Sequence, residues 1–168
     1  MSTLPDLSGV SQEAKALSEL MQLVLDKLEN VYDSYSMPLP ARRYWTFGTP
    51  SVDCEQVVVS FNQLYLGPPG DEATEPRRCR DPRTAVLNIS VSRPVPVVGP
   101  SGAPPTANAI IEGSLAAAYD AWILMENAAQ LDTWETSGFG LGVIATVSAI
   151  QPEGGFQTVV LTLTLAVP

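Results

Sequence analysis

Arg77-Arg78-Cys79-Arg80, with Arg83 close behind, is the densest group of functional side chains in this chain. Guanidinium groups in such a cluster can clamp a carboxylate through paired N–H donors. Asp71, Glu72, Glu75 and Asp81 lie in the same stretch. Two readings therefore stand together: a docking patch for an acidic partner, or a solvated loop that pairs with its own acids. Asp53 and Glu55 share one side of a strand start, as a metal site or an acid–base pair would need. No third oxygen-rich partner accompanies them, and an exposed strand start accounts for them equally. Glu112, Asp120 and Glu126 are expected to face solvent or an interface. The chain has no histidine, which removes the commonest general base, the usual triad and most zinc sites. Ser114 then has nothing to activate it, and Cys54 keeps only a neighbouring arginine to favour its thiolate. Gly138-Phe-Gly-Leu-Gly142 precedes a strand, whereas a phosphate loop needs a helix N-terminus and a lysine behind it. Trp45, Trp122, Trp134, Tyr44 and Phe139 are too scattered for a nucleic-acid stacking platform and suit core or interface anchors. No catalytic residue, cofactor-binding residue or metal ligand is assigned, and an enzyme is not expected.

The composition agrees with a protein that works by contact. The 168 residues are 45% apolar, a one-domain length and a globular make-up. The formal net charge is -9 and the pI near 4.3, which disfavours non-specific phosphate binding. No apolar run reaches the length of a membrane span. The N-terminus lacks the basic and apolar regions of a secretory signal. Cys54 and Cys79 are too few for a disulfide framework, and they stand open between free thiols and a single bridge.

Residues 1–10 read as a flexible arm, and 11–168 as one domain. Ser11 caps a first helix whose apolar positions Ala14, Leu17, Met21, Val24, Leu28 and Val31 step by three and four, widened by Leu20, Leu25 and Tyr32. Pro38 and Pro40 end it. Strands are expected over 43–47, 54–66 and 84–93. In the second, Val57, Val59, Phe61 and Tyr65 share a face; in the third, Ala85, Leu87, Ile89 and Val91 do. The long loop 67–83 lies between them. Thr106 caps a second helix running to about 131, with Ile111, Leu115, Ala118, Trp122, Met125 and Ala129 as its seam. Gly113, Ala116, Ala117 and Ala121 make this helix slim enough for close packing. Strands over 141–150 and 158–167 follow, joined through Gly154-Gly155. The fold class is α+β, order α-β-β-β-α-β-β. It comprises an antiparallel sheet of four to five strands with two main helices mainly on one face.

Residues 44–48, Asp53-Cys54-Glu55-Gln56, the proline-rich strand exits and the Gly154-Gly155 turn, in this element order, resemble the tail-terminator proteins of long-tailed, siphovirus-type bacteriophages, notably those infecting actinobacteria. The resemblance spans about residues 11–167. It implies a structural virion protein of the neck that forms a hexameric ring, caps the head-proximal end of the tail tube and stops its polymerisation. Its partners would be further copies of itself, the tail tube protein and the head–tail connector or stopper. It would assemble in the host cytoplasm and reside in the virion, with DNA passing through the ring without specific binding. Arg77, Arg78, Arg80 and Arg83 are the candidate docking residues. The alternatives are another neck component, such as a stopper or tail-completion protein, a small cytoplasmic enzyme, or a peptide-binding module.

Overall fold

The computed structural model describes residues 12–70, 83–98, 102–129 and 143–167. Helix α1 covers Gln12–Ser34. Leu20, Met21, Val24, Leu25, Leu28, Val31 and Tyr32 are all buried, so the apolar stripe read from the sequence is the face that enters the core. Its outer face carries Lys15, Glu19, Asp26, Glu29 and Asp33, all exposed. The helix ends ahead of Pro38 in two reversed hydrogen bonds, Met37 N to Tyr32 O at 3.1 Å and Ser36 N to Asp33 O at 3.0 Å. Ser36 adopts a left-handed φ of 52° to make them.

Five strands form one sheet: β1 (Arg42–Phe47), β2 (Gln56–Leu66), β3 (Arg83–Pro94), β4 (Val143–Glu153) and β5 (Phe156–Val167). Their spatial order is β1-β2-β3-β5-β4. The expected antiparallel pairing holds for β2 with β3, β3 with β5 and β4 with β5. β1 departs from it and runs parallel to β2, with Arg42 opposite Gln56 and Phe47 opposite Phe61. A short connection ordinarily joins antiparallel neighbours. Here the link between Phe47 and Gln56 must travel back along β1, about 20 Å at strand rise, which its eight residues, about 28 Å when extended, span with room for the turn. Gly48, with φ 87°, starts the reversal. Gln56 Nε2 then donates to Ser51 O at 2.6 Å, tying the returning segment to the sheet.

One bulge corrects a face assignment. The β2–β3 register shifts between Phe61 and Gln63, and the extra residue inverts the alternation beyond it. Tyr65 therefore pairs with Thr84, off the face of Val57 and Val59. The β4–β5 hairpin closes on Gly154 and Gly155, with φ 59° and 83°, the doubly left-handed turn that matches strand twist.

Helix α2 covers Ala107–Ala129, and Thr106 Oγ1 caps it by accepting from Ala109 N at 3.3 Å. α1 lies over β1 and β2, and α2 over β4 and β5. Both contribute to one core with Val57, Val59, Leu87, Ile89, Leu161 and Leu163, so both cover the same sheet face. Each fully buried aliphatic side chain there contributes about 1.5–3 kcal/mol. Gly113 sits where the chain leaving β3 passes: a Cβ would lie 3.3 Å from Pro96 Cδ. Among the described residues, no helix is long and apolar enough to cross a membrane.

α2 presents the opposite face from the one its bulky residues suggest. Ile123, Leu124 and Ala128 are buried, and Ala117 and Ala121 pack on the core. The expected seam faces outward: Ile111 is 56% exposed, Leu115 52%, Trp122 66% and Met125 40%. On the buried side Ala117 and Ala121 let the helix axis approach closely, and Ile123 and Leu124 fill the core beyond them.

Candidate functional site

Three features organise the surface and the buried polar groups. The first is a polar clamp inside the fold. Arg93 Nε donates to Asp120 Oδ2 at 2.6 Å and Arg93 Nη2 to Asp120 Oδ1 at 3.0 Å, a two-pronged pair between β3 and α2. Tyr32 Oη of α1 donates to Asp120 Oδ1 at 2.9 Å. The remaining guanidinium donors reach Glu55 Oε1 and Pro38 O, each at 3.0 Å. Asp120 is 1% exposed, which corrects the expectation that it faces solvent. Burial disfavours the charged guanidinium, but the hydrogen bonds and charge of Asp120 overcome this and leave the Arg93 pKa raised. Burial, then the charge and hydrogen bond of Asp120, push the Tyr32 hydroxyl upward against the opposing effect of Arg93. Every polar group of this cluster is engaged within the fold, so its chemistry is that of a fastener joining both helices to the sheet.

The second feature is the sheet face away from the helices. Its hydroxyls bond downward: Ser60 Oγ to Asn88 O at 3.3 Å, Ser90 Oγ to Val58 O at 3.3 Å, Thr162 Oγ1 to Asn88 Oδ1 at 3.0 Å, and Ser92 with Thr158 at 2.9 Å. A trough of about 790 Å³ lies on this face, rimmed by Thr49, Pro50, Val52, Ile150, Phe156 and Val160, and among the described residues no charged one lines it. The third feature is the outward stripe of α2, Ile111, Leu115, Tyr119, Trp122 and Met125, a row of large apolar side chains in water.

The residues singled out in the sequence fall variously on this frame. Arg83 opens β3 with an exposed side chain. Arg77, Arg78 and Arg80, Cys79, Trp134, and the glycine-rich stretch 138–142 with its Phe139 lie outside the described residues. Asp53 and Glu55 do not converge: Asp53 pairs with Arg42 at 2.5 Å and Glu55 with Arg93. Cys54 is a free thiol whose Sγ accepts from Arg42 Nη1 at 3.0 Å. That hydrogen bond, foremost, raises the Arg42 pKa. Ser114 Oγ donates to Ile110 O at 2.9 Å within its own helix. Trp45 packs against the core. Among the described residues, no three His, Cys, Asp or Glu side chains are placed to hold a metal ion.

Sequence reasoning missed the clamp. The available signal was the helical position of Asp120, which shares a side of α2 with Gly113, Ala116 and Ala117, opposite Ile111 and Trp122. Had the small side been taken as the sheet side, Asp120 would have required a buried cation, and β3 offers two, Arg83 at its start and Arg93 at its end.

No family model matches this chain, and no curated protein matches it.

Proposed function

We propose that this chain is a non-enzymatic, ring-forming subunit of a phage neck, the tail terminator that caps the head-proximal end of the tail tube and joins it to the head connector. The observation that carries the reading is the outward stripe of α2. A helix with apolar side chains on two opposite sides belongs between two covering surfaces, and the described residues provide only one. The second cover is another subunit. α1 has an ordinary solvated outer face, so the asymmetry lies in α2 itself.

A stripe on one face of the molecule, used by identical copies, makes a head-to-tail contact wherever its receptor lies elsewhere on the surface. Such contacts close into rings when the rotation permits. The resemblance carried by residues 44–48, 53–56 and the Gly154-Gly155 turn supplies the kind of ring, a hexamer, and its partners, the tail tube protein and the connector or stopper. The charge of -9 suits a channel through which DNA slides without adhesion. The virion is then the protein's place, after assembly in the host cytoplasm.

A second reading has its own observation. β1 and β4 are edge strands, and an exposed edge can take a partner peptide by strand addition. Native mass spectrometry of the protein, alone and with tail tubes, together with imaging of assembled tails, separates the two. Six copies around the tail axis is the expected result. A single copy, or a symmetry other than six-fold or three-fold, rejects the ring.

A further inference from the structure

We infer that the ring joint is built by seating the α2 stripe of one copy in the uncharged trough on the open sheet face of the next. This rests on the ring reading and names its two surfaces. The stripe is convex and the trough concave, and they lie on opposite sides of the sheet. One copy thus offers both halves of the joint and cannot satisfy itself.

Charge selects this pairing. Copies that each carry -9 repel one another, and like charges brought together at a joint are costly. The outer face of α1 brings Glu19, Asp26, Glu29 and Asp33 to any contact. Among the described residues the trough lining contains no charged side chain, and the stripe of Ile111, Leu115, Trp122 and Met125 carries acids only at its flank, Glu112 and Glu126. Joining them sets the apolar centre of the stripe on the trough, with Glu112 and Glu126 at the rim, and leaves the acids of α1 in water.

The composition of α2 agrees. Ala117 and Ala121 pack on the protomer's own core beside the buried Ile123 and Leu124, while Ile111, Leu115, Trp122 and Met125 point away from it. The same helix thus touches its own core on one side and offers a second apolar side to the neighbour's strands, with a rotation between copies that closes the ring. The trough floor suits this use, because Ser60, Ser90 and Thr158 of its lining already hydrogen-bond within the sheet and are not stranded when a tryptophan covers them. Trp122 would be the central anchor, the residue type that dominates such contacts.

The test uses two variants of the full chain. Trp122→Glu damages the stripe and keeps the trough. Ser148→Arg, on the trough wall, damages the trough and keeps the stripe. Both positions are exposed, and thermal unfolding checks that each variant folds. Each alone should be monomeric by native mass spectrometry where wild type forms rings. Mixed, they retain one intact joint between them, so a 1:1 dimer and nothing larger is expected. Mixed variants that stay monomeric beside wild-type rings overturn the trough joint and leave the ring reading standing. Ser148→Arg rings of normal mass do the same. Wild-type protein that never oligomerises, alone or with tail tubes, overturns both. Should either variant fail to fold, Trp122→Cys with Ser148→Cys replaces them, in a chain whose Cys54 and Cys79 are serine. Oxidation should give a covalent ladder up to six subunits, and rings that yield no ladder reject the joint.

Discussion

Asp120 is the residue on which the two helices and the sheet converge. A carboxylate this deeply buried is costly unless it is paired and hydrogen-bonded, and removing one partner of such a pair is strongly destabilising. Arg93 supplies the charge and Tyr32 the third donor. Tyr32→Phe removes one hydrogen bond to a charged acceptor, and we expect a loss of about 1.5 kcal/mol near neutral pH. The pH dependence separates this from a packing effect. The folded Tyr32 pKa is raised above the ordinary 10.0, so the hydroxyl stays protonated in the fold while the unfolded chain ionises. Its stabilising contribution is therefore complete below pH 10 and is lost as pH rises above it, at up to ~1.4 kcal/mol per pH unit. Urea unfolding at intervals from pH 7 to 11 should show wild type and Tyr32→Phe converging above pH 10. A gap that stayed constant to pH 11 would contradict the buried, neutral hydroxyl.

At the scale of the element, α2 has two apolar sides with different tasks. Ala117 and Ala121 face the core, so Ala121→Leu adds bulk where the helix and sheet already touch. Overpacking of this kind costs about 1–3 kcal/mol, and the thermal midpoint of the monomer should fall by several degrees. Ala118 is exposed on the opposite side, and Ala118→Leu should leave that midpoint nearly unchanged. Calorimetry of the two variants checks the orientation directly. Equal midpoints would mean that the helix is turned differently on the sheet. The same element explains why its burial was misread. Large apolar residues at three- and four-residue spacing mark a stripe that avoids water, but spacing does not say whether the cover is the chain's own sheet or another molecule.

For the whole molecule, the proposed assembly puts weight on the acidic balance and on the arginines of residues 77–83. Replacing Arg77, Arg78 and Arg80 with serine should leave the thermal midpoint within experimental scatter and weaken assembly with the acidic partners that the proposed neck role implies. Exposed ion pairs contribute about 0.2–1 kcal/mol each, so roughly a tenfold loss of affinity is expected in low salt. At 1 M salt the screening length falls to about 3 Å, and wild type and variant should bind alike. Sedimentation of the protein with tail tubes and connector, in low and high salt, measures this. Unchanged assembly at low salt with an intact fold would remove the docking role from the cluster.

The strand alternation of 84–93 and 158–167, the α1 stripe and the Thr106 cap are local patterns. Side-chain period and capping chemistry are written in consecutive residues, so the order α-β-β-β-α-β-β and most of the core were legible in the chain. What the tertiary structure decided are matters of partnership. β1 runs parallel to β2 because residues 48–55 turn back across the length of the strand, and neither strand's composition encodes that path. Tyr65 changes face because one extra residue bulges β2 near Asn62, and a bulge is a property of the pairing. Asp120 is buried because the slim side of α2, on which it lies, is the side that approaches β3, where Arg93 waits. The trough and the stripe became visible only together, once the fold had placed them on opposite sides of one sheet. A local pattern records how much surface a residue must hide, and only the packed chain shows which surface remains for another molecule to cover.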